Sequence, residues 1–317
     1  MKPVRLCIIV PCYNEQEVLN ETSQRLIAFL DGNADALAND SRVLFVDDGS
    51  GDETWRIISE LHKEDAHFEG IRLSHNRGHQ NALWAGMERA NGRFDCVISI
   101  DADLQDDVNA MRRFVDAYMD GADVVYGVRS RRDTDSFLKR FTAEGFYKLM
   151  KLLGAETVYN HADYRLLSKR ALAALMEYDE VNLYLRGMVP LLGFNTQTVL
   201  YERAERFAGK SKYSIKKMFS LAMQGATSFS VRPIMLIWLL GLIITFITLL
   251  AGLILLIVPS CRLGFTAFSV WFCCGLILSA LGLVGEYIGK IYAETKRRPR
   301  YFIQDTTSEN DHGNTEE

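Results

Sequence analysis

An acidic run follows the apolar segment FDCVISI: the sequence DADLQDD, residues 101–107. Hard oxygen ligands on alternate residues suit Mg²⁺ or Mn²⁺, ions that usually keep coordination positions open for substrate phosphates. A calcium-binding EF-hand is excluded, because Asp106 occupies its glycine position and Arg112 its final glutamate position. The phosphate-binding patterns G-x-G-x-x-G and G-x-x-x-x-G-K-[ST] are also absent. Any phosphate would therefore have to be held by a metal ion and arginine.

Four further polar clusters follow short β-branched runs in the same way: Asn14 with Glu15, Asp47 with Asp48, Asn76 with Arg77, and Arg129. The runs predict strands at residues 5–10, 42–46, 70–73, 94–100 and 123–127. Helical patterns lie between them, at residues 15–30, 53–67, 80–90 and 108–118. This alternation predicts an α/β fold with a mostly parallel sheet flanked by helices on both faces. Ligands of such sheets bind at the carboxyl ends of the strands, so we expect the five clusters to converge there.

The overall composition is that of a soluble protein: 36 Lys and Arg stand against 40 Asp and Glu, for a net charge of −4 over 317 residues. Its hydrophobic and aromatic content excludes a disordered chain. Two runs depart from this average, since residues 234–258 and 263–284 contain no charged residue. Each run is long enough, as a helix, to cross a hydrocarbon core of roughly 30 Å. The sequence therefore predicts a two-helix transmembrane hairpin.

The charges around this hairpin predict its orientation. Its short loop carries only Arg262, whereas five basic residues follow the second run between residues 290 and 300. By the positive-inside rule, both termini and the catalytic part are expected in the cytoplasm, with the chain in the cell inner membrane as a multi-pass protein. We expect a catalytic domain at 1–213, an interfacial helix at 214–232, the hairpin at 233–289 and a basic segment with an acidic tail at 290–317. From Asp305 onward the tail is expected to be solvated and flexible.

Several motifs carry a resemblance to a known family. VPCYNE (residues 10–15), VDDGS (46–50), the triplet Asp101-Ala102-Asp103 with its following Leu and Gln, and the terminal hairpin resemble a family 2 glycosyltransferase of the GT-A, Rossmann-like fold. Three later segments resemble most closely the bactoprenol (undecaprenyl-phosphate) glucosyltransferases of O-antigen modification: NHADYRLLSKRAL (160–172), ERFAGKSKYS (205–214) and GEYIGKIYAETKRRPRYFI (285–303). The resemblance implies inverting transfer of a sugar, with glucose first, from a UDP-sugar to a polyprenyl phosphate, with Mg²⁺ or Mn²⁺.

The resemblance also implies roles for individual residues. Asp103 and Gln105 would meet the metal, and Arg129 the phosphates. Asp163 lies where the family often has its base and would orient the acceptor or help build the site; the alternative is a structural pairing with Arg165. His79 is interpreted as a polar residue at a helix start. The nucleotide-sugar site would be built from Pro11, Tyr13, Glu15, Asp47, Asp48, Asp101, Ala102 and Gln105.

The acceptor implied by the resemblance is a lipid monophosphate. With a second pKa near ~6, a phosphate monoester is largely dianionic at neutral pH, which reduces the need for a strong base. Bringing two anions together requires cations instead, and Arg132, Arg206 and Lys212 are candidates to attract the acceptor phosphate.

Other interpretations stay open. The donor could carry GlcNAc or a modified arabinose, and the chain could be a nonenzymatic membrane-anchored subunit that binds a nucleotide sugar. A processive polysaccharide synthase is disfavoured, because the chain has no Q-x-x-R-W segment. A homotetramer, a flippase and a downstream glycosyltransferase are further partners that the resemblance implies, and no nucleic acid is expected.

Overall fold

The computed structural model describes residues 2–129, 161–181, 183–202 and 262–308, with residues 241, 243, 244, 246 and 247. The chain divides into two compact units. The described residues of the first unit are those up to residue 202 and residues 299–308. Those of the second lie between residues 241 and 298.

The first unit alternates strands and helices, and it contains each of the nine elements predicted up to residue 129. The strands are β1 (Leu6–Cys12), β2 (Arg42–Asp47), β3 (Phe68–Leu73), β4 (Cys96–Ser99), β5 (Val124–Arg129), β6 (His161–Ser168), β7 (Thr196–Tyr201) and β8 (Ile303–Thr306). The helices are α1 (Leu19–Gly32), α2 (Thr54–Glu64), α3 (His79–Ala90), α4 (Ala110–Met119), α5 (Lys169–Met176) and α6 (Leu185–Leu191).

The eight strands form one sheet in the order β7-β5-β6-β4-β1-β2-β3-β8. Strands β1 to β4 pair in parallel, as do β5 and β7. Strand β6 is antiparallel to both β4 and β5, and β8 is antiparallel to β3. Six strands therefore end at one edge of the sheet, where β6 and β8 begin. This architecture confirms the predicted α/β fold with a mostly parallel sheet.

The sheet is centred on β1, whose seven residues are all buried. Helix α3 packs closely against it at Gly86, where a Cβ atom would stand 2.4 Å from Cγ2 of Ile9. The helix begins after Gly78, whose φ of 87° is in the left-handed region that glycine adopts without strain. This packing places the first turn of α3 at the carboxyl edge of the sheet.

The last described residues of the first unit, 305–308, are more ordered than the sequence predicts. The expectation of a flexible terminus is wrong for residues 305–308, because β8 adds to the sheet beside β3 and Thr307 bonds to Gly70, whereas Asp305 is exposed to solvent as expected. Asp305, in β8, lies opposite Arg72 of β3 with 4.0 Å between carboxylate and guanidinium. Backbone pairing to an open sheet edge thus orders a segment whose acidic composition alone indicates solvation.

The described part of the second unit is mainly α7 (Arg262–Lys296), a helix of 35 residues. Within the described residues, its portion Phe272–Lys296 is the one stretch long and apolar enough to cross a membrane. The helix covers the second predicted span and continues past the expected boundary after residue 289. Most of the first predicted span, residues 234–258, and the whole predicted interfacial helix, residues 214–232, lie outside the described residues, so a hairpin stays a prediction.

Candidate active site at the carboxyl edge of the sheet

Asp163 is the buried centre of a cluster of polar side chains. It lies near the start of β6, and because β6 is antiparallel to its neighbours, its first residues lie at the edge where the other strands end. Its side chain is 8% exposed. Arg186 donates from Nε to Oδ1 at 3.2 Å and from Nη2 to Oδ2 at 3.0 Å. Arg165, which is fully buried, donates to Oδ1, and Gln80 donates to Oδ2 at 3.5 Å. We call His79, Gln80, Asp163, Arg165 and Arg186 the Asp163 cluster.

The charges of this cluster keep Asp163 ionised. Burial favours the neutral carboxyl, but Arg186, His79 and Arg165 outweigh burial and hold the pKa of Asp163 well below its usual range. A carboxylate with so low a pKa is a poor proton acceptor at neutral pH. The arrangement suits an anion that orders two arginines.

His79, the first residue of α3, connects this cluster to the acidic run. Its Nε2 lies 3.5 Å from Oδ2 of Asp163 and 3.7 Å from Oδ1 of Asp101. Burial opposes protonation of the imidazole, but the two carboxylates outweigh burial and raise the pKa of His79. His79 therefore does begin a helix, as the sequence indicates, and it also places a titratable group between two site carboxylates.

The adjacent Asp47 and Asp48 support neighbouring loops. Asp47 is fully buried, accepts a hydrogen bond from the Ser50 N–H at 3.0 Å, and lies 3.3 Å from Nε of Arg72. The carboxylate of Asp48 accepts hydrogen bonds from the two residues that precede His79, with N–H to oxygen distances of 2.7 and 2.8 Å. Burial raises the pKa of both carboxyls. Asp48 thereby fixes the turn that leads into His79.

The loops after β1 and β2 are joined by hydrogen bonds. Ser50 Oγ accepts from the Asn14 N–H at 2.9 Å, and Thr54 Oγ1 accepts from the Glu15 N–H at 3.0 Å. Tyr13, between them and the end of β1, is 46% exposed. Pro11, in β1, is buried, as is Ala102, whose carbonyl accepts a hydrogen bond from Thr22 Oγ1 at 2.9 Å. The exposed Tyr13 thus lies on two loops that hydrogen bonds hold together, and we call the loops after β1 and β2 the double loop.

The acidic run itself forms a tight loop. Leu104 has a φ of 57°, and the Gln105 N–H donates to Oδ1 of Asp103 at 3.2 Å. Asp101 and Asp103 are partly exposed. Burial, together with the negative charges of Asp163 and Asp103, raises the pKa of Asp101, and the charge of His79 offsets only part of this rise. Among the described residues no group of three His, Cys, Asp or Glu could hold a metal. The carboxylate and amide oxygens of Asp103 and Gln105 fit a Mg²⁺ or Mn²⁺ ion that takes its other ligands from substrate phosphates and water.

A second cluster surrounds the end of β5. The hydroxyl of Tyr201 donates to Oδ1 of Asp106 at 2.6 Å, and Nε of Arg129 donates to the same hydroxyl at 3.3 Å. Nη2 of Arg129 lies 3.7 Å from Oδ1 of Asp106. Burial and the nearby Asp101 raise the pKa of Asp106 to about 6. We call Asp106, Arg129 and Tyr201 the Arg129 cluster.

Comparison with known proteins identifies the family of this fold and site. The model of the family named Glycosyl transferase family 2 matches residues 7–176. The chain belongs to glycosyl transferase family 2. It is 50% identical over 305 residues to YkoT, an uncharacterised glycosyltransferase of Bacillus subtilis strain 168, covering 94% of this chain and 90% of the relative. It is 35% identical over 308 residues to the bactoprenol glucosyl transferase of Shigella phage SfX, covering 95% and 99% of the two chains.

A solved structure of similar fold is a mannosyltransferase from Pyrobaculum calidifontis in complex with GDP-Man and Mn²⁺. The two chains are 17% identical and superpose with a TM-score of 0.52, covering 72% of this chain and 64% of that one. The likeness confirms the expected fold of this family 2 glycosyltransferase.

The structure brings together residues that short motifs do not connect. Arg186 and Tyr201 lie outside every motif quoted from the sequence, whereas Asp106 belongs to the acidic run at 101–107 but has no role assigned to it there. A weak signal was present, since Arg186 is a lone cation in the apolar stretch LYLRGMVPLL. Arg132, Arg206 and Lys212, predicted to attract the acceptor phosphate, lie outside the described residues.

Proposed function

We propose that this glycosyltransferase transfers a glucosyl group from UDP-glucose to a polyprenyl phosphate, undecaprenyl phosphate in bacteria, at the cytoplasmic face of the membrane. The observation that carries the proposal is the Asp163 cluster, which places an ionised, arginine-bound carboxylate at the position expected for a base. The near full-length match to a protein named bactoprenol glucosyl transferase supports the same acceptor and sugar.

The acceptor then has to be a group that is already nucleophilic. A sugar hydroxyl must lose a proton during attack, whereas a phosphate monoester with a second pKa near ~6 is largely dianionic at neutral pH. Asp163 accepts hydrogen bonds from Arg165 and Arg186, and its lowered pKa makes it a weaker base than an unpaired carboxylate. A lipid phosphate therefore matches this site better than a hydroxyl acceptor.

The reaction is a single displacement. A phosphate oxygen of the lipid attacks the anomeric carbon, while the bond from that carbon to the β-phosphate oxygen of UDP breaks and its electron pair leaves with UDP. No proton has to be moved for charge to balance. Attack from the face opposite to UDP inverts the α-linked donor to a β-linked polyprenyl-phosphate glucose.

The residues of the two clusters have distinct tasks in this proposal. Arg129, held by Tyr201 and Asp106, binds the diphosphate of the donor. Arg186 and protonated His79 add positive charge beside Asp101. A divalent cation bound by Asp103 and Gln105 would stabilise the negative charge that develops on the leaving UDP.

The nucleotide half of the donor is assigned to the double loop and its neighbours. Asp48 and the exposed Tyr13 would contact the uridine, whereas Asp47 supports the loop from within, because it is fully buried. The remaining predicted donor contacts are Pro11, Glu15, Asp101, Ala102 and Gln105.

Membrane attachment places the site near a lipid acceptor. We assign α7 as the second crossing of a hairpin whose first crossing is residues 234–258. Both termini then face the cytoplasm, where UDP-sugars are made. Arg132, Arg206 and Lys212 would meet the acceptor phosphate.

The test is lipid-linked product formation by the purified full-length chain in detergent. We expect radiolabel from UDP-glucose to enter the organic phase when undecaprenyl phosphate and Mg²⁺ or Mn²⁺ are present, and not with undecaprenol or after EDTA. Asp103→Asn should lose most of this activity. The absence of lipid-soluble label with any donor would refute an enzyme of this class.

A donor panel addresses the sugar. UDP-GlcNAc and a UDP-linked modified arabinose are compared with UDP-glucose at equal concentration. A kcat/KM that is highest for UDP-glucose supports the glucosyl assignment. A higher kcat/KM for another donor would assign that sugar instead of glucose, and it would leave the assignment of a lipid phosphate acceptor unchanged.

A further inference from the structure

The residues that follow α7 return to the catalytic unit and bind it along one side. We call residues 299–308 the C-terminal strap. Its strand β8 pairs with β3, and beyond the ladder the Ser74 N–H donates to the Phe302 carbonyl at 2.9 Å. Three hydrogen bonds join Gly70 of β3 to Thr307, with lengths of 2.8, 3.0 and 3.4 Å. The strap is therefore part of the catalytic unit.

Helix α3 receives three contacts from the strap in addition to this pairing. Each joins a side chain of α3 between residues 84 and 89 to a side chain of the strap. They are the guanidinium of Arg300 at 4.5 Å from the Trp84 ring centroid, the Tyr301 hydroxyl on the Glu88 carboxylate, and Arg89 Nη2 on Ser308 Oγ at 2.8 Å.

Arg300 also binds a second segment. Its Nε donates to the carbonyl of Glu180 at 2.9 Å and its Nη2 to the carbonyl of Tyr178 at 3.1 Å. Its side chain is 17% exposed and Trp84 is 1% exposed, so these contacts are largely shielded from water. One guanidinium thus joins α3 to the start of the segment between α5 and α6.

The same two elements meet again at the site. Gln80, in the first turn of α3, accepts a hydrogen bond from the N–H of Leu185, the first residue of α6, at 3.0 Å. The neighbouring residues on the two helices, His79 and Arg186, both face Asp163. Helix α3 is therefore linked to this part of the chain at two places. Gln80 binds Leu185 at the site, and Arg300 links Trp84 to residues 178 and 180 away from it.

We infer that Arg300 is a positioning residue of the active site: by tying residues 178–180 to α3 it sets Arg186 and His79 in register around Asp163. The inference rests on the proposed function only for its effect on turnover. A lysine at this position keeps the charge near Trp84 but cannot span two carbonyls with a planar fork. The role therefore depends on the guanidinium geometry and not on charge alone.

Hydrogen exchange of the full-length chain in detergent tests the positioning without turnover. Arg300→Ala should speed exchange of the peptide that covers residues 183–191 by about tenfold, with Arg300→Lys in between. Arg298→Ala removes an exposed positive charge two residues earlier and serves as the matched control. If Arg300→Ala does not fold, Arg300→Lys carries the comparison with Arg298→Ala. Unchanged exchange in the Arg300 variants would overturn the inference.

Kinetics then separate positioning from mere stabilisation. Misplaced catalytic groups lower the rate of the chemical step, so kcat of Arg300→Lys should fall about tenfold or more while KM for the UDP-sugar changes little. A double variant with Arg186→Lys should lose little more than Arg186→Lys alone, because Arg300 acts through Arg186. Additive losses, or faster exchange with unchanged kcat, would contradict the inference. A wild-type chain without any product refutes the proposed function, while the exchange result still decides the role of Arg300.

Discussion

Arg186 meets Asp163 with its guanidinium fork, one nitrogen on each carboxylate oxygen, at 3.2 and 3.0 Å. The two residues lie on different elements, α6 and β6, and both are mostly shielded from solvent. Charge-assisted, two-pronged hydrogen bonds fix both distance and orientation. This pair therefore defines where the positive charge of the site lies.

Replacing Arg186 by Lys should affect turnover more than stability. The lysine retains a positive charge opposite Asp163, but it cannot occupy both carboxylate oxygens in a fixed plane. We expect kcat for lipid-linked product to fall by at least about tenfold, with a small change in Tm. The control is Arg170→Lys, because Arg170 binds Asp123 through two nitrogens outside the site. Equal losses in both variants would show that fork geometry at the site has no special role.

Replacing Asp163 by Asn should destabilise the fold as well as inactivate it. The substitution leaves the fully buried Arg165 without its counter-charge, which typically lowers the free energy of unfolding by about 3–5 kcal/mol. Chemical denaturation of the wild type and the variant measures this difference. Asp31→Asn, on the exposed side of α1, is the control and should change stability little. Retained stability with lost activity would instead favour a direct chemical role of Asp163.

The pH dependence of this loss follows from the direction of the pKa shift. The pKa of Asp163 in the folded state lies below its pKa of about 4 in the unfolded state. Its contribution to stability is therefore fully present above that unfolded value and is lost as pH falls through the folded pKa. The stability difference between wild type and Asp163→Asn should stay constant from neutral pH to about pH 5 and narrow only in stronger acid.

His79 should show the opposite pH dependence. The pKa of His79 in the folded state lies above its unfolded-state pKa of about 6.5. Its contribution to stability is therefore fully present below the unfolded-state pKa, and it is lost as pH rises through the folded-state pKa. We expect the Tm difference between wild type and His79→Gln to be largest in mild acid and to shrink toward pH 9. His75→Gln, at an exposed residue of the loop before α3, controls for loss of an imidazole. A difference that does not change with pH would contradict the assigned ion pairs.

The alternating pattern of the chain predicted the nine elements up to residue 129, because their strands are short, mostly buried runs and their helices each have a buried face. It also predicted that clusters such as Asp48 and Asp101 lie at one edge, since parallel strands end together. It could not predict the partners of Asp163, because Arg186 arrives on a later helix and β6 runs against its neighbours. Nothing local to these residues encodes that register.

Strand β8 was missed for a different reason. Its sequence, IQDT, has three polar residues and lies beside an acidic stretch, which is typical of a solvated tail. The strand forms because the edge of β3 offers unpaired backbone groups and because Arg72 lies opposite Asp305. Both conditions depend on segments more than 200 residues away in the chain.

Replacing Tyr201 by Phe should weaken the hold on Arg129. The variant removes the hydroxyl that donates to Asp106 and accepts from Arg129. Because a buried hydrogen bond is lost, we expect the free energy of unfolding to fall by about 1 kcal/mol. We expect kcat/KM for the UDP-sugar to fall several-fold, because Arg129 is assigned to the donor phosphates. Tyr118→Phe, on α4, is the control. Titration calorimetry with UDP should show weaker binding for Tyr201→Phe alone, and unchanged affinity would argue against the role of Arg129.

Replacing Gly86 by Ala should move α3 and with it the site. Alanine normally stabilises a helix interior relative to glycine by about 0.5–1 kcal/mol. Here the new Cβ would stand 2.4 Å from Ile9 Cγ2 and 3.0 Å from Val46 Cγ2, and both neighbours are fully buried in the centre of the sheet. Overpacking of this kind costs about 1–3 kcal/mol, so we expect a net loss of stability. Displacing the helix should also lower kcat, since α3 carries His79 at its first position. Gly51→Ala, where a Cβ would meet nothing within 4 Å, is the control, and a rise in the Tm of Gly86→Ala would mean that α3 can shift without strain.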